Sequence, residues 1–189
     1  MTGREGSRLS NRSTSPSRAR AGAASSSARR CKGFVPVIDA QVRVLVLGSF
    51  PSSASLAAHQ YYGHPRNQFW RILGAILGEP LQSLEYPERL RRVLAHRIGI
   101  WDVYADCRRS GSLDTQIHAP RPNDLGQLPR LAPRLRAVAC NGQEAGRARR
   151  RLTELGYACD VLPSTSPAHA ARCFEEKLAV WKAFFRVWC

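Results

Sequence analysis

The chain has 189 residues, 43% of them apolar, and a formal net charge of +15 from 29 basic and 14 acidic side chains. That length suits one domain with a full core and is short for two. No apolar run approaches the roughly 18 residues of a membrane span, so a membrane-spanning role is not expected. The charge favours a polyanionic partner, nucleic acid ahead of a membrane surface.

Residues 1–33 carry eight basic side chains and one acid, and the remainder still carries a net +8, so the folded part is itself basic. Ser, Arg, Ala and Gly dominate this first stretch and little in it can pack. It reads as a disordered basic tail preceding a single domain over residues 34–189. The tail is Arg- and Ser-rich like a transit peptide but shows little amphipathic pattern, and it is read as a non-functional extension, with added non-specific phosphate affinity as the alternative. Six scattered cysteines (Cys31, Cys107, Cys140, Cys159, Cys173, Cys189), with no C-x-x-C pair, argue against a disulfide framework or a zinc site and for a reduced, cytoplasmic protein.

The first strand is expected over Val42–Leu47, an apolar run that stops at Gly48, as a buried parallel strand does. A polar and aromatic loop, Gly48–Arg66, leads to a helix over Gln68–Leu77, with Gly78 and Pro80 as its stop. A second helix starts at Pro87 and runs to Ala95. Ile98–Val103 is a short strand, residues 105–122 a long irregular loop, and Asn123 the N-cap of a helix over 124–131. Arg136–Cys140 is the next strand. A basic helix follows over Gln143–Leu155, stopped by Gly156, then a strand over Tyr157–Leu162. The final helix, Phe174–Val187, buries Leu178, Trp181, Phe184 and Phe185. Strands alternating with helices imply a three-layer α/β/α sandwich around a mainly parallel four-stranded sheet. The loops after the first and last strands are expected to face each other across the sheet's carboxyl edge, where such sheets bind ligands.

Three stretches then stand out together. They are Gly48-Ser49-Phe50-Pro51-Ser52, Tyr61-Tyr62-Gly63-His64-Pro65-Arg66-Asn67-Gln68-Phe69-Trp70 and Pro163-Ser164-Thr165-Ser166-Pro167-Ala168. Their combination resembles the uracil-DNA glycosylase superfamily, and within it the hypoxanthine-DNA (deoxyinosine) glycosylase branch, over residues 40–188. The resemblance implies a monofunctional, metal- and cofactor-free DNA glycosylase, acting as a monomer. Such an enzyme flips a deaminated base (hypoxanthine, with uracil as a further substrate) out of DNA and hydrolyses its N-glycosidic bond.

It also implies roles for residues. Tyr62 stands where related enzymes place an aromatic ring against the flipped base, and stacking of this kind is worth roughly 1–3 kcal/mol per base. Asn67 carries an acceptor and donors suited to a base edge or a water, and is the expected catalytic residue, although Asn before a helix is also a common N-cap. Gly48, Ser49, Phe50, Pro51, Ser52 and His64 complete the expected base pocket, with the Ser49 and Phe50 N–H groups as donors to a base carbonyl. Ser164, Thr165 and Ser166 are expected on phosphates, Pro167 and Ala168 in the gap the base leaves, and His169 on a phosphate.

One departure is chemically important. Better-known branches place Asp or Asn where Phe50 stands, and that side chain handles the attacking water, which phenylalanine cannot do. Asp102 is expected to anchor the pocket loops, and the Arg147–Arg151 helix to present a solvated face. Three other readings compete: a mismatch-specific uracil/thymine-DNA glycosylase, a serine hydrolase built on Ser49, Asp102 and His169, and a non-catalytic basic nucleic-acid-binding module. The hydrolase lacks a G-x-S-x-G elbow.

Overall fold

The computed structural model describes residue 2 and residues 30–109 and 113–188. Along the chain come β1 (Arg30–Lys32), β2 (Val44–Gly48), α1 (Ser53–Ala58), α2 (Phe69–Leu77), α3 (Tyr86–Ala95), β3 (Ile98–Asp102), β4 (Tyr104–Arg109) and β5 (Ile117–Pro122). There follow α4 (Leu128–Leu131), β6 (Ala137–Asn141), α5 (Gln143–Gly146), α6 (Arg149–Glu154), β7 (Ala158–Leu162) and α7 (Phe174–Trp188).

The central sheet has the order β3-β2-β6-β7 and every neighbouring pair is parallel. Alternation along β2 divides the core. Val44 and Val46 join Ile98, Ile100, Ala137 and Ala139 under α2, α3 and α7, whereas Leu45 and Leu47 join Val138 and Cys140 under α4, α5 and α6. Both faces are therefore covered, which is why these strands read as continuous apolar runs. The three-layer α/β/α sandwich expected from the sequence is the architecture observed. From β2 the chain passes to β3 on one side and later returns to β6 on the other, so the carboxyl ends of β2 and β6 flank a topological switch point, where open sheets leave a crevice.

Residues 105–122 are a correction. Within them β4 and β5 pair in a second, antiparallel sheet of order β1-β4-β5. Two features hid it. Register shifts interrupt β4 between Tyr104 and Arg108, and β5 holds Pro120 and Pro122, residues that sheets tolerate at an edge. The tail boundary also moves: Arg30–Lys32 pair with Asp106–Arg108, and the Arg30 guanidinium bonds Asp106 at 2.6 Å and the Ala119 carbonyl at 3.2 Å, tying three strands. Residues 1 and 3–29 of the tail lie outside the described residues.

Smaller corrections have local causes. The loop after β2 contains α1, capped by Ser52, whose Oγ accepts the Ser55 N–H. The helix expected over Gln143–Leu155 is broken into α5 and α6, and Gly146 at the break lies against Val161, where a Cβ would come within 2.7 Å. The backbone there tightens into i→i+3 bonds at Arg147 and Ala148. Asp124 rather than Asn123 caps the turn before α4, by accepting from Gly126 N–H. Asn123 instead donates to the Asp102 carbonyl.

The core and the edge of the sheet meet at Trp181 of α7. It is fully buried, and its indole N–H donates to the Pro163 carbonyl at 2.9 Å. Trp181→Ala is expected to cost about 3–5 kcal/mol, read as a lowered urea midpoint.

Candidate active site

A cleft of about 740 Å³ opens at the carboxyl edge of the central sheet, lined by the ends of β2, β3, β6 and β7 and the loops that follow them. At its floor Gly48 sits opposite Asp102 in the β2–β3 register. A Cβ on Gly48 would lie 2.4 Å from Asp102 Oδ1 and 3.2 Å from the Tyr62 hydroxyl. Only glycine lets a carboxylate and a phenol approach this strand end so closely.

The first loop is shaped by short hydrogen bonds. Ser55 Oγ lies 3.0 Å from Ser52 Oγ and accepts the Gly63 N–H at 3.1 Å, tying α1 to the residues beyond it. His64 to Asn67 form a turn closed by Asn67 N–H to the His64 carbonyl at 2.8 Å, with Pro65 at the position where proline presets φ. His64 Nδ1 accepts the Arg66 N–H within this turn, and the residue does not line the cleft. Its expected place in the base pocket is therefore corrected: His64 shapes the turn that presents Asn67.

Asn67 lines the cleft and its Oδ1 accepts the Phe69 N–H at 2.9 Å. Capping thus fixes the amide, with Oδ1 turned to the helix and Nδ2 left as a donor. Tyr62 occupies the left-handed region at φ 55°, a strained backbone for a bulky residue worth of order 1–3 kcal/mol. One face of its ring stacks on Phe69, with centroids 3.8 Å apart. Its hydroxyl is buried without a hydrogen-bond partner among the described residues. Burial first, and the Asp102 charge second, push the Tyr62 phenol well up. Tyr61 is a core residue: its hydroxyl donates to the Val35 carbonyl and its own carbonyl accepts from the Trp70 indole.

The last loop is pinned at three places. Trp181 holds Pro163, and Lys177, only 2% exposed on α7, donates its ammonium to the His169 carbonyl at 2.8 Å. Between them Thr165 is fully buried. Its N–H donates to Asn141 Oδ1 and its Oγ1 accepts from Asn141 Nδ2, both at 2.9 Å, while its carbonyl accepts the Gln68 N–H at 3.0 Å. The expected phosphate contact is a second correction: Thr165 is fully buried, and its N–H, carbonyl and hydroxyl oxygen join the last loop to β6 and to the start of α2. Ser164 Oγ accepts the Ser166 N–H, and Ser166 Oγ accepts the Ala168 N–H. Both hydroxyl protons remain free to donate outward.

The cleft gathers Gly48, Ser49, Phe50, Pro51, Ser52, Tyr62 and Asn67 from the first loop with Ser164, Thr165, Ser166, Ala168 and His169 from the last. Pro167 does not line it; it lies inside the turn closed by the His169 N–H to the Ser166 carbonyl. Phe50 is buried among the residues beneath β4 and packs close to Gly33, so it forms a wall of the cleft.

Five participants escaped the sequence reading. Asn141 was visible only as the polar end of an apolar strand. Arg147, assigned to a solvated face, lines the rim with Arg172. Glu144 accepts the Tyr104 hydroxyl at 2.6 Å and pairs with Arg147 at 3.1 Å. Burial and then that carboxylate raise the Tyr104 phenol to about 12. Asp114, from the segment read as irregular, accepts the Ser49 hydroxyl at 2.7 Å. That bond leaves Ser49 turned to a carboxylate rather than to a histidine, which removes the serine-hydrolase reading. Among the described residues no group of three or more His, Cys, Asp or Glu could hold a metal ion. None of the described helices is long and apolar enough to cross a membrane.

Residues 35–186 match the family model of the uracil DNA glycosylase superfamily. Two proteins named hypoxanthine DNA glycosylase are similar over 155 residues, spanning 82% of this chain and 98% of each relative. One is from Methanosarcina barkeri, 41% identical, and the other from Methanosarcina acetivorans, 40% identical. A candidate uracil DNA glycosylase from Methanosarcina acetivorans, solved by solution NMR, superposes with a TM-score of 0.76 at 38% identity, covering 84% of this chain and 98% of that one.

Thr165→Val keeps the volume and removes the hydroxyl. It is expected to cost about 1–3 kcal/mol by stranding the Asn141 amide, measured by urea unfolding, and to loosen the last loop, measured as faster amide exchange at Gln68.

Proposed function

Because this chain belongs to the uracil DNA glycosylase superfamily, and is accordingly a DNA glycosylase hydrolysing N-glycosyl bonds, we propose that it excises hypoxanthine from deoxyinosine in DNA to begin base excision repair. The observation that carries this reading is the meeting of Tyr62, Asn67 and Asp102 with the last loop in one cleft.

A flipped base costs a few kcal/mol to extrude, and stacking on the Tyr62 ring recovers roughly 1–3 kcal/mol of that. Hypoxanthine offers a carbonyl oxygen and N7 as acceptors and its N1–H as a donor. Asn67 Nδ2, its oxygen already committed to Phe69, donates to an acceptor on the ring. Asp102, 4% exposed at the floor, accepts the N1–H. Uracil presents a similar carbonyl and N–H pair and is a second substrate of the same site. As the glycosidic bond breaks, electrons flow into the base, so a donor placed at its carbonyl or N7 strengthens in the transition state. Among the described residues no lysine lines the cleft. An imine with the sugar is thus not formed, and water is the nucleophile of a monofunctional enzyme.

Around the mouth, Arg147 and Arg172 with Ser164, Ser166 and His169 meet DNA phosphates. The protein acts as a monomer on damaged DNA.

An oligonucleotide with one deoxyinosine is expected to yield alkali-labile abasic sites, and an intact oligonucleotide would refute the reading. Asn67→Asp keeps an acceptor for Phe69 while losing the donor, and is expected to slow single-turnover release by about tenfold or more with an unchanged melting temperature. Tyr62→Phe is expected to retain activity, since its hydroxyl has no partner. Tyr62→Ala is expected to weaken binding of damaged DNA by about tenfold, as loss of about 1.4 kcal/mol of stacking implies. Raising salt should weaken binding steeply as counterion release falls away.

A further inference from the structure

Nothing in the cleavage step calls for the antiparallel sheet β1-β4-β5, yet the fold mounts it against the cleft. β4 leaves the carboxyl end of β3, where the Val103 N–H donates to the Gly48 carbonyl at 2.8 Å and the Tyr104 N–H to the Ser49 carbonyl at 3.1 Å. β5 opens with Ile117, which lines the cleft together with Leu113, Asp114 and Thr115 just before it. The sheet thus continues the cleft wall to one side.

The pairing gives this sheet two unlike faces. Cys31 stands opposite Cys107, and with Ile117 they pack into the core that holds Phe50. The neighbouring positions point the other way. There Arg30 stands opposite Arg108, Lys32 and Arg121 opposite Asp106, and His118 opposite Arg108. All of these but Asp106 are exposed. Four Lys or Arg side chains therefore share the outward face with one carboxylate, a net +3 with His118 neutral. Asp106 is divided between the Arg30 guanidinium at 2.6 Å and that of Arg121 at 3.9 Å. Lys32 and Arg108 have no acidic partner among the described residues. Like charges set directly opposite each other destabilise a sheet, and Arg108 lies between Arg30 on one strand and His118 on the other. Such a face repels itself, and a polyanion relieves it. Its width of three strands, about 10 Å, matches about three base pairs of duplex at ~3.4 Å each. Lys32, Arg108 and Arg121 do not line the cleft, so the face is additional to the rim at Arg147 and Arg172.

We propose that the outward face of β1-β4-β5 is a second DNA-binding surface, which holds phosphates of the duplex flanking the extruded base on the Asp114 side of the cleft. The inference rests on the glycosylase reading above. Lys32, Arg108 and Arg121 meet the phosphates. Arg30 stays committed to Asp106 and the Ala119 carbonyl and keeps the three strands together. Contacts of this kind fix the position of a protein on DNA and read no sequence, so damaged and intact duplexes gain equally from the face.

The test is the Kd for a duplex bearing 2′-fluoro-deoxyinosine, and for the same duplex undamaged, over a range of salt concentrations. Replacing three residues together, Lys32→Gln, Arg108→Gln and Arg121→Gln, is expected to weaken both about tenfold at physiological salt. The same variant should make the slope of log affinity on log salt shallower by about 2–3, since each phosphate contact contributes ~0.9. Arg108→Lys with Arg121→Lys keeps the charge and should bind within about threefold of the unsubstituted protein. Arg97, Arg134 and Arg136 are exposed and precede β3 and β6, at the amino edge of the central sheet away from the cleft. Changing these three to Gln is expected to leave Kd and slope unchanged. Unaltered Kd values and slope in the first variant overturn the proposal and leave the face to another polyanion. So does an equal loss in the amino-edge variant, which would report net charge alone, or a charge-keeping variant as weak as the glutamine one. Hypoxanthine release by the unsubstituted protein is read in parallel: its absence overturns the glycosylase reading, while the binding comparison still decides the surface.

Discussion

Two loops that begin on different strands must stay in register to make one cleft, and a single buried threonine holds them. Thr165 exchanges two hydrogen bonds with the Asn141 side chain and accepts a third from Gln68, one residue beyond Asn67. Each bond is sheltered from water, so breaking any of them strands a polar group and costs more than the bond contributes. The amide that presents Asn67, the end of β6 and the last loop thereby move as one body. Gly142 completes the joint: its φ of 94° and its closeness to Ser164, where a Cβ would lie 3.0 Å away, leave room for no other residue.

Charge is distributed so that a neutral ring and a charged backbone are sorted to different places. Asp102 is buried at the floor of the cleft, and Asp114, Arg147, Arg172 and His169 sit among its lining at the exposed rim. Phosphates are repelled from the floor and drawn to the rim, while a base carrying N–H groups finds acceptors below. Strain is concentrated at the same place. The left-handed backbone of Tyr62 turns its ring onto Phe69, and the fold tolerates that cost because Tyr61 and Trp70 beside it are locked into the core. Observed strain at a residue lining a cleft points to a positioned side chain rather than an accidental one.

Much of the fold was legible because fully buried parallel strands announce themselves as apolar runs, and Val44–Leu47 and Ala137–Cys140 are such runs. The motif loops were legible from residue type, since Tyr62, Asn67 and Ser166 carry chemistry that solvated loops rarely combine. Two kinds of feature were not. The antiparallel β1-β4-β5 sheet has prolines, bulges and exposed arginines in place of alternation, so no local period reports it. Thr165 and Asp114 act through partners 24 and 65 residues away, and a threonine spent on Asn141 looks the same in sequence as one offered to a phosphate. His64 and Pro167 erred in the opposite sense: each has the right chemistry, but a local turn holds it outside the cleft.

The central claim is that an extruded base lies between the first and last loops. A co-crystal structure with a duplex bearing 2′-fluoro-deoxyinosine tests it most directly. The account predicts the hypoxanthine ring out of the helix, against the Tyr62 face, with Asn67 Nδ2 and an Asp102 oxygen within hydrogen-bonding distance of its edge. A base still stacked in the duplex, or seated in the smaller hollow of about 370 Å³ beside Trp70, Arg71 and Leu81, would contradict it.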